Sequence, residues 1–207
     1  MKKGFMMSKG FWSTQRSDLW AVIVVGIAVA LGSAWSIVMS LVEILPNRDV
    51  PVRVQLVGEV FDLPIGPDGA RIEAGVDEIT VHVSDLPVAS YVSALGAAIV
   101  PNLAVMAVTV CVLLLCRNLL RGEFFSRTNT RLVVTTSMVI VFGWVITLLF
   151  TVMASNGALA QIEARPVYES VQFHLDWYAV LAAMAVGALG AVFHAGERMQ
   201  RDTEGLV

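Results

Sequence analysis

Charged residues are scarce in this chain of 207 residues, where they make up only 15% of the total. A soluble domain carries about 25% charged and about 45–50% apolar residues, whereas 57% of this chain is hydrophobic and its mean hydropathy is +0.73. A basic excess is also lacking, because the net charge is −3, and this excludes the electrostatic footprint of a nucleic-acid-binding domain. The two cysteines, Cys111 and Cys116, lie in an apolar run and offer neither a disulfide framework nor paired zinc ligands. These shortages exclude a disordered chain and favour a membrane protein.

Motifs of catalysis and metal binding are absent from the sequence as well. It contains no nucleophile elbow, P-loop or dinucleotide-binding glycine pattern. His82 with Asp85, and His174 with Asp176, lack the spacing of metal ligands. We therefore expect a protein that is not an enzyme and that has no cofactor, no metal and no direct contact with nucleic acid.

Four apolar runs reach the length of about 20 residues that a helix needs to cross a bilayer core. The first follows basic residues but is far longer than the core of a signal peptide, which has about 7–15 residues, so we expect a retained anchor. The sequence predicts an all-α integral membrane protein: four transmembrane helices in a bundle with a small extracytoplasmic β-containing insert between helices 1 and 2. The predicted segments are a tail (1–18), span one (19–42), the insert (43–91), span two (92–115), a middle loop (116–131), span three (132–153), an outer loop (154–174), span four (175–194) and a second tail (195–207).

The orientation is predicted from lysine and arginine, which are enriched in cytoplasmic loops. The two tails and the middle loop together hold ten of them, against four in the insert and the outer loop. We therefore expect a multi-pass membrane protein with both termini and the middle loop in the cytoplasm.

The insert carries two stretches with the alternation of a β-strand. Val50, Val52, Val54 and Leu56 alternate with polar residues or proline, and Ile79, Val81 and Val83 do the same. A Gly-Pro-Asp-Gly sequence at 66–69 predicts a turn between them. Because a two-stranded unit is marginal in water, we expect it to rest on the helix ends or on the outer loop.

Polar groups in the spans allow two interpretations each. Glu43 and Asp176, at the outer ends of spans one and four, are either interfacial groups or the lining of a vestibule. Pro101 and Asn102 form either a packed kink or a ligand-binding break in span two.

Small residues recur every four positions in two spans, where they allow close helix packing or a dimer interface. They are Gly26, Ala30 and Ala34 in span one, and Ala183, Gly187, Ala191 and Ala195 in span four.

The middle loop is the most patterned region. Gly122 is suited to end one helix and Ser126 to begin the next. The loop's arginines and Phe125 fit a lipid surface or a docking surface for a cytoplasmic partner. In the tail, the pairs Glu197–Arg201 and Arg198–Asp202 are four residues apart and favour a helix that leaves the membrane.

The loop and the tail resemble a known family. The loop reads Arg-Gly-Glu-x-Phe-Ser-x-x-Asn from Arg121 to Asn129, and the tail reads Phe-x-x-Gly-x-x-Met-x-x-Asp-Thr-Glu-Gly-Leu-Val from Phe193 to Val207. Both resemble a bacterial four-span family, domain of unknown function 2975, although Met199 stands where the family has leucine. The resemblance implies a cytoplasmic membrane protein. It also implies a small helix-turn-helix regulator as partner, because members are often encoded beside one.

Two functional hypotheses follow. The first is a regulatory or anchoring protein that binds this regulator through its cytoplasmic face, with a homo-oligomer as a further expectation beside contact with the lipid bilayer. The candidate partner-binding residues are Arg117, Arg121, Glu123, Phe125, Arg127, Asn129, Arg198 and Asp202. The second hypothesis is a small transporter or channel subunit, which lacks the midplane charge and repeat symmetry typical of transporters.

Overall fold

The structure is a computed structural model that describes residues 8–64, 66–162 and 177–204. Four long helices and one β-hairpin make up the described chain. The elements are α1 (Ser8–Ile44), β1 (Val50–Leu63), β2 (Ile72–Val83), α2 (Val88–Leu120), α3 (Arg127–Gln161) and α4 (Trp177–Glu204), with a 3₁₀ turn at Pro67–Gly69 between the strands. The prediction of four apolar helices with a β-containing insert between the first two is confirmed.

Each helix contains a segment that is long and apolar enough to cross a membrane. A helix of 33 residues, such as α2, is about 50 Å long, so it extends beyond a hydrocarbon core of about 30 Å. The four segments indicate a multi-pass membrane protein. They are Ser17–Ile44, Val88–Leu120, Arg127–Gln161 and Trp177–Met199.

Large apolar side chains remain uncovered along these segments. In α1, for example, Leu31, Trp35 and Val42 are each about two-thirds exposed. Exposure of this extent is rare on a protein in water, whereas a bilayer supplies an apolar solvent for it. The helices are therefore compatible with lipid contact along most of their length.

The chain divides into two compact units, each described by itself below. The loop unit comprises residues 1–35, 102–143 and 176–207, and the hairpin unit comprises residues 36–101 and 144–175.

In the hairpin unit, the base of the hairpin packs on helix ends. Val50, Val52 and Val54 are buried in one cluster with residues of all three helices that enter this unit. The helical members of that cluster are Ile44, Ala94, Ala154, Ala158 and Leu159. This burial stabilises a hairpin that two strands alone would leave marginal, and the prediction that the β unit rests on helix ends is confirmed.

The hairpin changes its apolar side halfway along. The antiparallel register runs from Val50↔Val83 to Gln55↔Glu78, then shifts to Glu59↔Val76, so β1 has two residues more than β2 at this bulge. On β2 the less exposed positions are 79, 81 and 83 near the base but 74 and 76 near the tip. Because side chains alternate between faces, the two halves use opposite faces. Phe61, in the tip half, still packs against the core cluster, so the ribbon turns about its axis at the bulge, as bulges favour.

Asn47 fastens the hairpin to the start of α2. Its side-chain oxygen accepts from the Leu86 N–H at 3.0 Å, and its amide donates to the Leu86 carbonyl at 3.2 Å. Its own carbonyl accepts from the Asp85 N–H at 3.0 Å. Asn47 has φ of 51°, a left-handed conformation that asparagine tolerates better than most residues. On α3, the buried hydroxyl of Ser155 donates to the carbonyl of Arg53 at 2.6 Å.

In the loop unit, α4 packs on α3 through small residues. The hydroxyl of Ser137 donates to the carbonyl of buried Ala183 at 2.9 Å, and it lies close to Gly187. Ala191 and Ala195 are exposed, so this end of the predicted row does not pack within the described chain, and a dimer interface there stays a prediction. Four residues turn a helix by about 400°, so such a row rotates away from its neighbour, and Gly190 meets Val134 instead.

Two other sequence predictions have clear outcomes. α2 runs through Pro101 as one continuous helix, so the ligand-binding break is wrong. Cys111 and Cys116 are free thiols with buried side chains, as expected for two cysteines in an apolar run.

Candidate functional site

The link between α2 and α3 is a tight, fully capped turn. Gly122, with φ of 85°, donates to the Leu119 carbonyl at 3.0 Å, and Glu123 donates to the Asn118 carbonyl at 3.1 Å. These are the two bonds of a Schellman motif, which needs a left-handed residue at the glycine position. The predicted helix end at Gly122 is confirmed.

Ser126 begins α3 as its N-cap. Its hydroxyl accepts from the Asn129 N–H at 3.2 Å, and its carbonyl accepts the first helical bond, from Thr130, at 3.0 Å. The predicted helix start at Ser126 is confirmed. Only three residues, Glu123 to Phe125, separate the two caps, so the loop has little freedom.

Asn129 closes the loop from inside. It is fully buried, and its amide donates to the carbonyls of Glu123 at 2.5 Å and Phe124 at 3.1 Å. Its oxygen accepts from the amide of Asn118 at 2.8 Å. The side chain thus ties the last turn of α2, the loop and the first turn of α3 together.

Phe125 lies across α4. Its ring is 5.8 Å from that of Phe193, centroid to centroid, in a tilted arrangement. A Cβ added to Gly196 would overlap the Phe125 ring, so glycine is what permits this approach. Phe125 nevertheless stays 41% exposed, which leaves one part of an aromatic side chain open to other molecules.

Arg127 and Glu197 join the loop to α4 electrostatically. The Nε of Arg127 lies 3.2 Å from Oε1 of Glu197. The Arg127 side chain is 70% exposed, but that of Glu197 is only 11% exposed. We call Phe125, Arg127, Phe193, Gly196 and Glu197 the loop–tail junction.

The candidate residues fall into two groups in the structure. Asn129 is interior and bonds the loop itself. The other seven are exposed residues on α2, the loop, α3 and α4: Arg117, Arg121, Glu123, Phe125, Arg127, Arg198 and Asp202. Arg198 also lies 3.4 Å from His194 on α4. That these residues bind a partner stays a prediction.

Sequence reasoning missed Glu197 as a junction residue. Its spacing from Arg201 favoured a helix that leaves the membrane, and its carboxylate also reaches Arg127, 70 residues away. The available signal was the complementarity of a basic loop and an acidic tail, and this complementarity is realised at Glu197. α4 itself continues as one helix to Glu204.

The remaining candidate groups that the structure describes do not converge. Glu43 is exposed at the end of α1, and His82 pairs with Asp49 at 3.4 Å on the hairpin surface. His174 and Asp176 lie outside the described residues. Within the described ranges, no three His, Cys, Asp or Glu side chains are grouped so that they could hold a metal ion.

A chain with four apolar helices, a hairpin on the helix ends and a capped, basic loop defines a class of multi-pass membrane proteins. The family model described as "Protein of unknown function (DUF2975)" matches residues 74–207, and the chain belongs to this family. The resemblance drawn from the loop and tail motifs is thereby confirmed. The matched region includes most of β2 and the whole of α2, α3 and α4, and with them the whole loop–tail junction.

No curated protein and no solved structure matches this chain.

Proposed function

We propose that the protein is a non-enzymatic regulatory or anchoring protein of a bacterial cytoplasmic membrane, which binds a small helix-turn-helix regulator through the α2–α3 loop and its loop–tail junction. The observation that carries this proposal is the combination of a rigid loop with an exposed aromatic side chain. Phe125 is 41% exposed although its ring is held by Phe193 and Gly196. Partly exposed aromatic and arginine side chains in fixed positions are typical centres of protein interfaces.

The charge of the loop defines how such a regulator would dock. Arg117, Arg121, Arg127 and Arg131 are exposed around the loop, and Glu123 is its one acidic residue. A DNA-binding face is basic, so it would be repelled here. The regulator therefore docks through an acidic surface, and its DNA-binding face stays accessible.

Both termini and the loop face the cytoplasm in this proposal, as the distribution of lysine and arginine indicates. A reporter active only in the cytoplasm, fused after Val207, tests this orientation. The proposal requires an active reporter there and an inactive one when the fusion follows Gly69 in the hairpin turn.

A transporter or channel is less well supported. α2 is continuous at Pro101, so the feature that favoured a substrate-binding break is lost.

Site-specific photocrosslinking in native membranes tests the proposal. A photoreactive residue at Arg121 should capture the helix-turn-helix regulator, whereas one at Arg53, which is exposed on the hairpin, should not. In a chain with a photoreactive residue at Glu123, Arg121→Glu should abolish the capture of the regulator. The same substitution should abolish the effect of the membrane protein on a promoter that the regulator controls. Capture of the same proteins at positions 121 and 53, or normal promoter control by Arg121→Glu, would contradict the proposal.

A further inference from the structure

Two of the loop arginines stand at the ends of exposed apolar rows. On α2, the exposed residues Leu103, Val110 and Leu114 lead to Arg117, with successive spacings of seven, four and three residues. These spacings place residues on one face of a helix. Arg117 therefore ends a row of apolar side chains that the described residues leave 38–51% exposed.

The same arrangement occurs on α3. Arg131 precedes Val134, Met138 and Phe142, which are 44%, 52% and 60% exposed. Their spacings of three and four residues again define one face. Arg131 thus ends a partly exposed apolar row, at the N-terminal end of α3, whereas Arg117 lies near the C-terminal end of α2.

The two arginines lie at nearly the same depth. The hydrogen bond between Asn118 and Asn129 sets the two helices side by side. Arg117 lies one residue from Asn118 and Arg131 lies two residues from Asn129, both toward the apolar rows. Because an α-helix rises about 1.5 Å per residue, the backbones of the two arginines differ in depth by about 1.5 Å. Arg121 and Arg127 lie about one turn farther from the two apolar rows than Arg117 and Arg131, and Arg127 is already paired with Glu197.

We propose that Arg117 and Arg131 bind the phosphates of anionic phospholipids in the leaflet next to the α2–α3 loop. An apolar row in contact with acyl chains carries its terminal arginine to the headgroup level, where the long side chain reaches the phosphates. A guanidinium donates two parallel hydrogen bonds to one phosphate. Anionic lipids are favoured because their headgroups carry no cation to offset the phosphate. The locked loop fixes both arginines in advance, which lowers the entropy lost on binding.

Native mass spectrometry of the detergent-purified full chain tests this binding, with phosphatidylglycerol and phosphatidylcholine as probes. We expect wild type to retain phosphatidylglycerol preferentially. The double variant Arg117→Gln/Arg131→Gln should bind it about 30-fold more weakly, or about 2 kcal/mol, at about 1 kcal/mol for each arginine. Arg117→Lys/Arg131→Lys should fall between the two, because it keeps the charge but loses the paired donors. Arg53→Gln, on the exposed hairpin surface, should equal wild type.

Three results would overturn the proposal. The first is equal retention of phosphatidylglycerol by wild type and the double glutamine variant, when both unfold at the same temperature in the same detergent micelles. The second is stabilisation by sodium phosphate equal to that by phosphatidylglycerol, which would make this a site for soluble anions. The third is a dimer that retains no lipid, which would mean that a second copy covers the two rows. Because Arg121 is unchanged in these variants, capture of the regulator is tested separately.

Discussion

The hairpin unit and the loop unit are each fastened by one asparagine side chain, but in different surroundings. Asn47 bonds the N–H and the carbonyl of Leu86 beside a cluster of buried valine, leucine and alanine. Asn129 bonds two carbonyls and Asn118 in a loop whose neighbours are arginines and a half-exposed phenylalanine. The hairpin unit therefore has apolar packing to maintain its geometry, whereas the loop depends on hydrogen bonds. This difference suits the loop to present a surface in a fixed shape.

The largest expected effect is at Asn129. Asn129→Ala leaves two loop carbonyls and the Asn118 amide without their partner, at about 1–3 kcal/mol for each buried group. We expect a loss of about 3 kcal/mol or more in the free energy of unfolding, measured by denaturant titration in micelles. Thr128→Ala, at an exposed neighbouring position, should change it by about 0.5 kcal/mol or less. A loss below about 1 kcal/mol would mean that water replaces the amide, and the contrast between the two units would then disappear.

Asn47 should matter less, because apolar packing remains when its hydrogen bonds are removed. Asn47→Ala should cost about 2–3 kcal/mol, since it loses two hydrogen bonds and places alanine in a left-handed conformation. Asn47→Gly also loses the bonds but tolerates this φ, so the same titration should give a value about 1 kcal/mol smaller. Equal losses for the two variants would show that φ at this position is not restrained.

A substitution at Gly196 compares two opposing effects, the close contact of this glycine with the Phe125 ring and the higher helix propensity of alanine. Alanine is favoured over glycine in a helix by about 1 kcal/mol, yet Gly196→Ala should destabilise by about 1–3 kcal/mol because its methyl group overlaps the Phe125 ring. Gly32→Ala on α1, where a Cβ would meet nothing within 4 Å, should be neutral or stabilising. Thermal unfolding of the two variants should therefore shift in opposite directions, and a parallel shift would contradict the close contact.

The smallest expected effect separates the two ion pairs. A double-mutant cycle on Arg127 and Glu197 should give a coupling of about 1 kcal/mol, because Glu197 is nearly buried. The side chains of Arg53 and Glu78 are 79% and 49% exposed, and Nε of Arg53 lies 3.7 Å from Oε1 of Glu78. The cycle on this pair should give about 0.5 kcal/mol or less. Added salt should weaken the second coupling proportionally more than the first. Equal couplings would mean that burial of Glu197 does not strengthen its pair.

Features that act over a few residues could be predicted from the sequence. Gly122 and Ser126 cap helices within three or four positions, and the alternation at Val50–Val54 defines a strand locally. Asn129 looked like a surface residue, because nothing in its neighbours tells that its amide turns inward. The pair of Glu197 with Arg127 could not be predicted, since the two residues are 70 positions apart and their contact depends on how α3 and α4 pack. The continuation of both strands past the bulge was also hidden, because the alternation changes phase there.

That change of phase affects which mutations the hairpin can accept. In the segment between Gln55 and Glu59, where the register shifts, the number of residues, rather than their side chains, decides which face of the tip is apolar. Substitutions within 56–58 leave this length unchanged. Removal or insertion of one residue there would exchange the two faces of β1 throughout the tip, so that Asp62 would take the side of Phe61. The base, buried on the helices, would be unaffected. Among natural or engineered variants, this segment should therefore vary in composition but not in number of residues.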